Sequence, residues 1–310
     1  MIRPVICLGA AIIDDSFYCL NEPVHGTSNP ARHFRSAGGV ARNIAHNLAQ
    51  LGNKVELISH FGNDGDGIWL REQCFSAGVG LSHSRFSDTG TGRFTAVLSP
   101  EGELYAGASD THLENEITVP FLAEKTPFLK TASLILFDCN LSVDCIAWLL
   151  EFCRSQGVPC VIDPVSIAKA SRLRDLNLDN VLLMTPNNAE LAALSVDSKI
   201  ESSKLSVEYL LNKGVQKIWM RNSSDGSELF SREEIIKLPA PDVKVLDTTG
   251  AGDAALAGWI HAWLLKKGAR ECLLYGHAMA EIILQTRGAN SDHLNTDLLD
   301  RRVSNVGSLK

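Results

Sequence analysis

Asp247-Thr248-Thr249-Gly250-Ala251-Gly252-Asp253 is the stretch of this chain that most narrows its fold and chemistry. It follows an extended run from Lys237 to Leu246 and precedes a helical pattern from about Ala254 to Lys267. Gly250 and Gly252 allow a tight turn and a close approach of the backbone to a ligand. The helix that follows would point unpaired N–H groups and its positive dipole end at this turn, which favours an anion, above all phosphate.

Asp253 is unexpected in such a place, because a carboxylate beside an anion-binding turn is unfavourable unless it handles a proton. A phosphate loop next to a proton acceptor is typical of a kinase for small molecules. Two alternatives remain. Asp253 could simply cap the helix, or Gly250-x-Gly252-x-x-Ala255 could be a dinucleotide fingerprint with Glu271 as its acidic partner. The fingerprint is disfavoured because only 55 of the 310 residues follow Ala255, and their pattern predicts mostly two helices.

Composition limits the classes of protein to which this chain can belong. Its 310 residues, 45% hydrophobic and 21% charged, suit one large α/β domain or two smaller ones. A net charge of −7 argues against a nucleic-acid-binding surface. The eight cysteines include no C-x-x-C pair, which argues against zinc or dithiol sites and favours a reducing compartment. The apolar run Val5–Ile13 is too short to cross a bilayer, so we expect a cytoplasmic protein without membrane partners.

Short apolar runs alternate with segments of helical period along most of the chain. The predicted strands are Val5–Ile13, Lys54–His60, Ser133–Asp138, Val158–Asp163, Val181–Met184 and Lys217–Arg221. The predicted helices are Val40–Leu51, Gly67–Ala77, Val143–Gln156, Ala189–Leu194, Ser203–Asn212 and a C-terminal pair. This alternation predicts an α/β fold with a parallel sheet and helices on both of its faces.

Two stretches interrupt the alternation with short, polar, strand-like pieces that have no helices between them: Asp15–Arg35 and Thr91–Gly107. In the second, Arg93–Ser99 and Glu103–Gly107 flank a Pro-Glu-Gly sequence typical of a hairpin turn. We expect residues of about 15–35 and 91–107 to form a small β-lid over the main sheet, within a single domain spanning 1–310.

Polar residues follow several of the predicted strands. They are Asp14, Asp138, Asp163 and the segment Asn187–Glu190. Ligands of open α/β sheets bind beyond the carboxyl ends of the strands. We therefore expect these residues to converge on one edge of the sheet.

Two further motifs carry possible chemistry. In Ser36-Ala37-Gly38-Gly39-Val40-Ala41-Arg42-Asn43, the glycines would present N–H groups and Asn43 could bond to a polyol, although a plain helix start fits equally well. Asn187 and Glu190 share one helix face and could hold hydrated Mg²⁺, or they could form a capping box. No G-x-x-x-x-G-K-[ST] segment is present, so no Walker A lysine holds a nucleotide.

In order and spacing, the Gly38-Gly39…Asn43 motif, Asn187-x-x-Glu190 and the run at 247–253 resemble the ribokinase-like (PfkB) family of carbohydrate and nucleoside kinases. The resemblance covers essentially the whole chain. It implies a three-layer α/β/α sandwich with a mainly parallel central sheet. Residues 38–45, 138–142 and 163–166 are similar to those of pseudouridine kinases. The implied activity is ATP-dependent phosphorylation of the 5′-hydroxyl of pseudouridine, with another nucleoside or a ribose-type sugar as the alternative acceptor.

The same resemblance implies a role for each motif. Asp253 would take the proton of the attacking hydroxyl, while the N–H groups of Gly250, Ala251 and Gly252 stabilise the developing charge. The residues implied for the acceptor are Asp14, Gly38, Gly39 and Asn43, with Asn140 and Ser166 as candidates for reading the base. Those implied for ions are Asn187 and Glu190 for Mg²⁺ with the phosphates, and Asp247 with the Thr249 carbonyl for a monovalent cation such as K⁺.

One segment departs from the family pattern. Relatives usually carry a Gly-x-x-Gly turn beside the nucleotide, and here the matching stretch is Arg221-Asn222-Ser223-Ser224-Asp225-Gly226. Gly226 is retained, but Ser223 replaces the first glycine. A non-catalytic ligand sensor on the kinase fold is therefore a second hypothesis. Because relatives often pair through their lids, a homodimer is also implied.

Overall fold

The computed structural model describes residues 2–194 and 203–308. Its strands are β1 (Val5–Leu8), β2 (Ile12–Cys19), β3 (Ala31–Gly38), β4 (Val55–Ile58), β5 (His60–Gly62), β6 (Arg85–Ser87), β7 (Arg93–Leu98), β8 (Leu104–Asp110), β9 (Leu134–Asp138), β10 (Cys160–Asp163), β11 (Val181–Met184), β12 (Ile218–Arg221), β13 (Ser227–Phe230) and β14 (Ile235–Leu238). Its helices are α1 (Val40–Gln50), α2 (Gly65–Ser76), α3 (Leu113–Glu116), α4 (Val119–Glu124), α5 (Thr126–Leu129), α6 (Val143–Gln156), α7 (Ile167–Ala170), α8 (Asn188–Leu194), α9 (Ser203–Asn212), α10 (Ala251–Leu264), α11 (Ala269–Leu284) and α12 (Thr296–Ser308).

The main sheet has eight strands in the order β14-β13-β12-β11-β10-β9-β1-β4. The six strands from β12 to β4 run parallel, and β13 and β14 add an antiparallel edge. The predicted parallel sheet is therefore confirmed, whereas β13 and β14 were not predicted. All six predicted main strands contribute to it, with ends that differ by a few residues.

Apolar side chains on the two faces of this sheet belong to two separate cores. In β1, Val5 and Cys7 point into one core, and Ile6 and Leu8 point into the other. Helices α1, α10 and α11 cover the first face, while α6, α8 and α9 cover the second. This is the expected three-layer α/β/α sandwich, since a parallel sheet must bury both faces under helices.

A second sheet of four strands has the order β3-β2-β7-β8. Its strands overlap the two polar stretches that interrupt the alternation. The prediction of one strand over Val5–Ile13 was wrong, because the chain leaves the main sheet after β1 and enters the second sheet at Ile12. The physical reason is at Ala10, whose N–H donates to the Asp138 carboxylate at 3.0 Å instead of to a neighbouring strand.

Two expectations around the decisive stretch also need correction. Helix α10 begins at Ala251 and not at Ala254, so that Asp253 lies in its first turn. The extended run predicted from Lys237 to Leu246 is a strand only as far as Leu238. Pro239 and Pro241 follow, and because proline has no N–H donor they cannot continue a sheet ladder fully.

All eight cysteines are buried and free, as expected for thiols that act as small apolar side chains. Within residues 2–194 and 203–308, no helix combines the length and the apolar character needed to cross a membrane.

Candidate active site

Asp253 is held at the start of α10 by a residue from α1. Asn43 Nδ2 donates to Asp253 Oδ2 at 2.7 Å. Gly250 caps the helix with a φ of +73°, and a Cβ there would collide with Ala289. The N-cap of α10 is Gly250, and Asp253 lies within the first turn with its carboxylate bonded to Asn43, so Asp253 is not the capping residue of this helix.

The surroundings of Asp253 shift its proton affinity into a useful range. Burial raises its pKa to about 7, and the negative charge of Asp163 adds to the rise. The hydrogen bond from Asn43 and the positive charges of Arg221 and Arg42 act in the opposite direction. A carboxylate with a pKa near neutrality is well suited to accept and release a proton at physiological pH.

The turn that precedes Asp253 has free hydrogen-bond donors. Ala251 N–H donates to Thr248 O at 3.3 Å, and Thr249 N–H donates to Asp247 Oδ1 at 2.9 Å. In the part of the chain that the structure describes, the N–H groups of Gly250 and Gly252 have no acceptor. Two unpaired donors at a helix N-terminus fit a phosphate oxygen.

Gly38 and Gly39 bring the second sheet against the start of α1. Gly39 has a φ of +95°, and a Cβ there would collide with the Ala10 carbonyl. A Cβ at Gly38 would occupy the space of the Asp14 carboxylate, whose pKa burial raises to about 6. The prediction that Asp14 follows a strand of the main sheet was wrong. Asp14 lies within β2 and reaches the site from the second sheet.

Arg42 is a functional candidate that the sequence motif contained but did not single out. Its guanidinium is buried and donates to the Ala37 carbonyl at 2.5 Å, to the Gly38 carbonyl at 3.3 Å and to Asn43 Oδ1. Because Arg42 occupies the amide oxygen of Asn43, the Nδ2 group of Asn43 is turned towards Asp253. The orientation of Asn43 is thus fixed from both ends.

Asp138, at the end of β9, connects three separate backbone segments. Its carboxylate accepts the N–H groups of Ala10 and Ala41 at 3.0 Å and of Asn140 at 2.9 Å. Asn140 Oδ1 accepts from Lys169 Nζ. Asn140 is therefore linked to the site through Asp138, but it has no direct contact with Asp253.

Ser166 lies in the loop that follows Asp163 and precedes α7. Its N–H donates to Pro164 O at 2.8 Å, and its carbonyl accepts from the first turn of α7. The neighbouring Val165 has a φ of +69°, which is strained for a β-branched residue. Ser166 therefore lies on a constrained loop, and among the described residues no hydrogen bond joins it to Asp253.

Asn187 and Glu190 form a reciprocal capping box at the start of α8. Asn187 Oδ1 accepts from Glu190 N at 2.9 Å, and Glu190 Oε2 accepts from Asn187 N at 2.9 Å. Burial raises the pKa of Glu190, and the Asn187 N–H bond, Asp163 and Arg221 also act on it. The capping alternative is therefore present, and it leaves Glu190 Oε1 available to another partner.

The turn at residues 223–226 keeps a glycine-like backbone. Ser223 has a φ of +50°, the left-handed conformation that usually favours glycine. Gly226 has a φ of +88°, and a Cβ there would collide with the Leu238 carbonyl. The turn joins α8 through Asn222 Oδ1, which accepts from Asn188 Nδ2 at 3.2 Å.

Asp247 fixes the loop that leads into the glycine turn at residues 250–252. Its carboxylate accepts the N–H of Thr249 and the N–H of Gly288, each at 2.9 Å. Burial alone would raise the pKa of Asp247, but these N–H bonds and Arg287 lower it, so the group is ionised. An ionised carboxylate at this position suits a cation. Among the described residues, no cluster of three or more His, Cys, Asp or Glu could form an all-protein metal site.

Arg221, at the end of β12, was missed as a site residue. Its Nη1 donates to Gly252 O at 2.6 Å, while its Nη2 donates to Thr185 O at 3.0 Å and to Asp163 Oδ2 at 3.4 Å. Asp163, Thr185 and Arg221 end or follow adjacent parallel strands, so the sequence could have indicated that they meet at one edge of the sheet. The pairing itself spans 31 to 58 residues of chain.

Glu271 has a different role from that of a ribose-binding acid. Its carboxylate accepts from Gly268 N at 3.1 Å and caps α11. No strand follows α10 in residues 251–308, so the glycines of the turn do not open a βαβ unit. Both observations rule out the dinucleotide fingerprint.

Comparisons with known proteins agree with this arrangement. A structure titled as a carbohydrate kinase from Agrobacterium tumefaciens is 28% identical, with a TM-score of 0.82 over 98% of this chain and 97% of its own. Arabidopsis thaliana ribokinase, solved with ribose and ATP, shares the fold at 23% identity with a TM-score of 0.82, over 98% of this chain and 99% of its own.

Two comparisons at the level of sequence are more direct. Pseudouridine kinase of Escherichia coli (strain K12) is 29% identical over 296 residues, which cover 94% of this chain and 93% of the relative. The family model described as pfkB family carbohydrate kinase matches residues 3–297. With its parallel sheet, its paired glycine motifs and this match over almost its whole length, the chain belongs to the pfkB family of carbohydrate kinases.

Proposed function

We propose that this chain phosphorylates the 5′-hydroxyl of pseudouridine with ATP, using Asp253 as the general base. The observation that supports the phosphoryl transfer, as distinct from the choice of acceptor, is the buried Asp253 carboxylate with a pKa of about 7, held by Asn43 and placed after the free N–H groups of Gly250 and Gly252. A base and an oxyanion site that share one helix turn match the needs of phosphoryl transfer to an alcohol.

In this mechanism the acceptor hydroxyl lies within hydrogen-bond reach of Asp253. Asp253 takes the hydroxyl proton as the oxygen bonds to the γ-phosphorus and the bond to the ADP oxygen breaks. The N–H groups of Gly250 and Gly252, with Ala251 between them, stabilise the charge on the transferring group. Because the carboxylate must be ionised, we expect kcat/KM to fall about tenfold per pH unit below pH 7.

ATP supplies the phosphoryl group, and its phosphates would lie between the turn at 250–252 and the start of α8. Mg²⁺ would neutralise charge on the phosphates, with the free Oε1 of Glu190 and the side chain of Asn187 directed at its water shell. The turn at Ser223 and Gly226 would border the nucleotide. Asp247 and the Thr249 carbonyl would hold K⁺ or another monovalent cation, which would order the anion-binding turn.

On the acceptor side, Asp14 and Asn43 would form hydrogen bonds with the ribose hydroxyls. Gly38 and Gly39 have no side chains and would leave space for the sugar. Asn140 and Ser166 remain candidates for contact with the base. Asp14 has a raised pKa of about 6, so it is largely ionised at pH 7.5 and can accept hydrogen bonds from hydroxyl groups.

The second sheet would serve as the lid over this acceptor site. By strand register, the face that carries Asp14 also carries Tyr18, Phe34 and Phe94. Tyr18 and Phe34 meet edge to face with ring centroids 5.5 Å apart. An aromatic face opposite a polyol site favours a nucleoside over a free sugar, because a nucleobase can stack on it.

The opposite face of the second sheet is anchored to the main body of the protein. Arg35 and Arg93 both pair with Asp66 in the first turn of α2, and Arg93 also pairs with Asp15. These ion pairs would hold the second sheet over the acceptor site, where it would exclude water from the transferring phosphate.

The test is ATP-dependent phosphate transfer to pseudouridine, uridine, adenosine and ribose in the presence of Mg²⁺ and K⁺. We expect pseudouridine to have the highest kcat/KM, and Asp253→Asn to lower kcat by about 10²–10⁴-fold while acceptor binding persists. A preference for ribose or for another nucleoside would reject the pseudouridine assignment and keep the mechanism. Binding of ATP and acceptor without any transfer would instead favour a non-catalytic sensor.

A further inference from the structure

Arg221 joins three separate elements at the carboxyl edge of the main sheet. It lies at the end of β12, and its guanidinium reaches the carbonyl groups of Gly252 in α10 and of Thr185 after β11, and the carboxylate of Asp163 in β10. The side chain is 23% exposed. Of the five N–H donors of an arginine, these three bonds leave two without a partner among the described residues.

The guanidinium of Arg221 lies close to the backbone at position 252. A Cβ at residue 252 would lie 2.6 Å from Arg221 Nη1, so a larger residue there would require the Arg221 side chain to move. The guanidinium therefore packs directly against the backbone of the anion-binding turn. The Gly252 carbonyl accepts from Nη1. This bond fixes the direction of the peptide between Gly252 and Asp253 in the first turn of α10.

Buried carboxylates surround this guanidinium. The negative charge of Asp163 raises the pKa of both Asp253 and Glu190, and the positive charge of Arg221 lowers both. Asn43 and Arg42 face Asp253 from α1 and also favour its ionised form. Without the positive charge of Arg221, Asp253 would have to ionise close to the negative charge of Asp163 and away from water, which is unfavourable.

We propose that Arg221 is a positioning residue of the transfer site, which fixes the Gly252 peptide and places a permanent positive charge between Asp163 and Asp253. The inference rests on the proposed function, in which Asp253 must be ionised to accept a proton. A lysine could supply the charge, but its single ammonium on a flexible chain would not hold three acceptors in fixed directions.

The first test follows the titration of Asp253 directly and needs no turnover. In protein labelled with ¹³C at the aspartate carboxyl carbons, the Asp253 signal is assigned from its loss in Asp253→Asn. We expect Arg221→Gln to raise the titration midpoint by about one pH unit, because an opposite charge nearby typically lowers a carboxyl pKa by about that amount or more. Arg221→Lys should keep the midpoint of the wild type.

A matched control is Arg302→Met in α12, since Arg302 pairs with Glu281 at 2.5 Å and contacts Gln285, far along the chain from the site motifs. The control should leave the Asp253 midpoint unchanged. An unchanged midpoint in Arg221→Gln would overturn the proposal, and so would an equal shift in Arg302→Met. Loss of folding in Arg221→Gln together with wild-type kcat in Arg221→Lys would assign Arg221 a purely structural role and also overturn it.

The second test uses the pH profile of transfer. In Arg221→Gln, the acid limb of the kcat/KM profile should move to higher pH by the same amount as the Asp253 titration midpoint. Arg221→Lys should lower kcat about tenfold without moving this limb. If the wild type transfers phosphate to no acceptor, the proposed function fails. The titration still decides whether Arg221 controls the ionisation of Asp253, so the two failures are distinguishable.

Discussion

Ser223 departs from the family pattern in residue type but keeps the left-handed backbone conformation that glycine usually adopts. Its φ of +50° lies in the left-handed region, which costs a non-glycine residue roughly 1–2 kcal/mol. Gly226, three residues later, closes the same turn at φ +88° with no room for a Cβ. The serine therefore preserves the turn at some cost in stability, which weakens the sequence argument for a lost nucleotide site.

We predict that a β-branched residue at 223 is not tolerated. Ser223→Val should lower the free energy of unfolding by about 1–3 kcal/mol and raise the KM for ATP, because valine strongly disfavours positive φ. Ser223→Gly should stay within about 1 kcal/mol of the wild type, since relief of strain is offset by greater freedom of the unfolded chain. Urea denaturation and ATP kinetics provide both readouts.

Ser224→Val is the matched control, because Ser224 lies in the same short 3₁₀ turn without a positive φ. Equal losses in Ser223→Val and Ser224→Val would contradict the role of the left-handed backbone.

At the scale of elements, the site is assembled from the starts of helices. Helix α10 contributes Asp253, α1 contributes Asn43, and α8 contributes the capping box of Asn187 and Glu190. In α8 the same two side chains already satisfy the helix end. Any role in metal binding must therefore be separated from the role in capping.

Glu190→Gln separates these roles. Glutamine at this position still accepts the Asn187 N–H bond, so we expect the unfolding temperature to stay within a few degrees of the wild type. The negative charge is lost, so the Mg²⁺ concentration needed for half-maximal activity should rise. Thermal unfolding and a Mg²⁺ titration of activity measure the two effects.

The converse variant is Asn187→Ala, which removes the cap and should cost about 1 kcal/mol of stability. If Glu190→Gln has the Mg²⁺ dependence of the wild type, Glu190 is only a capping residue, and the metal role is withdrawn.

Sequence patterns predicted the elements better than the contacts between them. Parallel strands, the helices that follow them and the glycine turns were predictable because they depend on local hydrophobic period and backbone freedom. The break between β1 and β2 was not, because it depends on Asp138, which lies 128 residues from Ala10. Arg221 was missed for the same reason, since its partners lie 31 to 58 residues away along the chain.

At the scale of the whole molecule, the buried carboxylate of Asp253 opposes stability. Its folded pKa of about 7 lies above the ordinary value of 3.8, so the folded protein binds more protons than the unfolded chain between these values. Stability from this group is therefore present at low pH and is lost as the pH rises through 7.

We predict that Asp253→Asn removes this loss. Between pH 5 and pH 8 the wild type should lose roughly 2–3 kcal/mol more stability than the variant, since each pH unit between the two pKa values is worth about 1.4 kcal/mol. The titration of Asp14 contributes equally to the pH dependence of the wild type and of the variant, so it cancels in the difference. Denaturant unfolding at the two pH values measures the difference.

Asp242→Asn serves as the control, because Asp242 is an exposed carboxylate in the loop before the site. It should follow the pH dependence of the wild type. Parallel curves for Asp253→Asn and the wild type would show that Asp253 titrates normally.

The eight buried thiols turn the protein into a reporter of its own opening. Cys7, Cys74 and Cys272 lie in one core, and four others lie in the core on the opposite face of the main sheet. Cys19 belongs to the second sheet. A thiol-reactive dye can label each position only when its surroundings open, so mass spectrometry of the labelled peptides would rank the layers by the free energy of opening. Added nucleoside should delay labelling of Cys19 if that sheet closes over the acceptor.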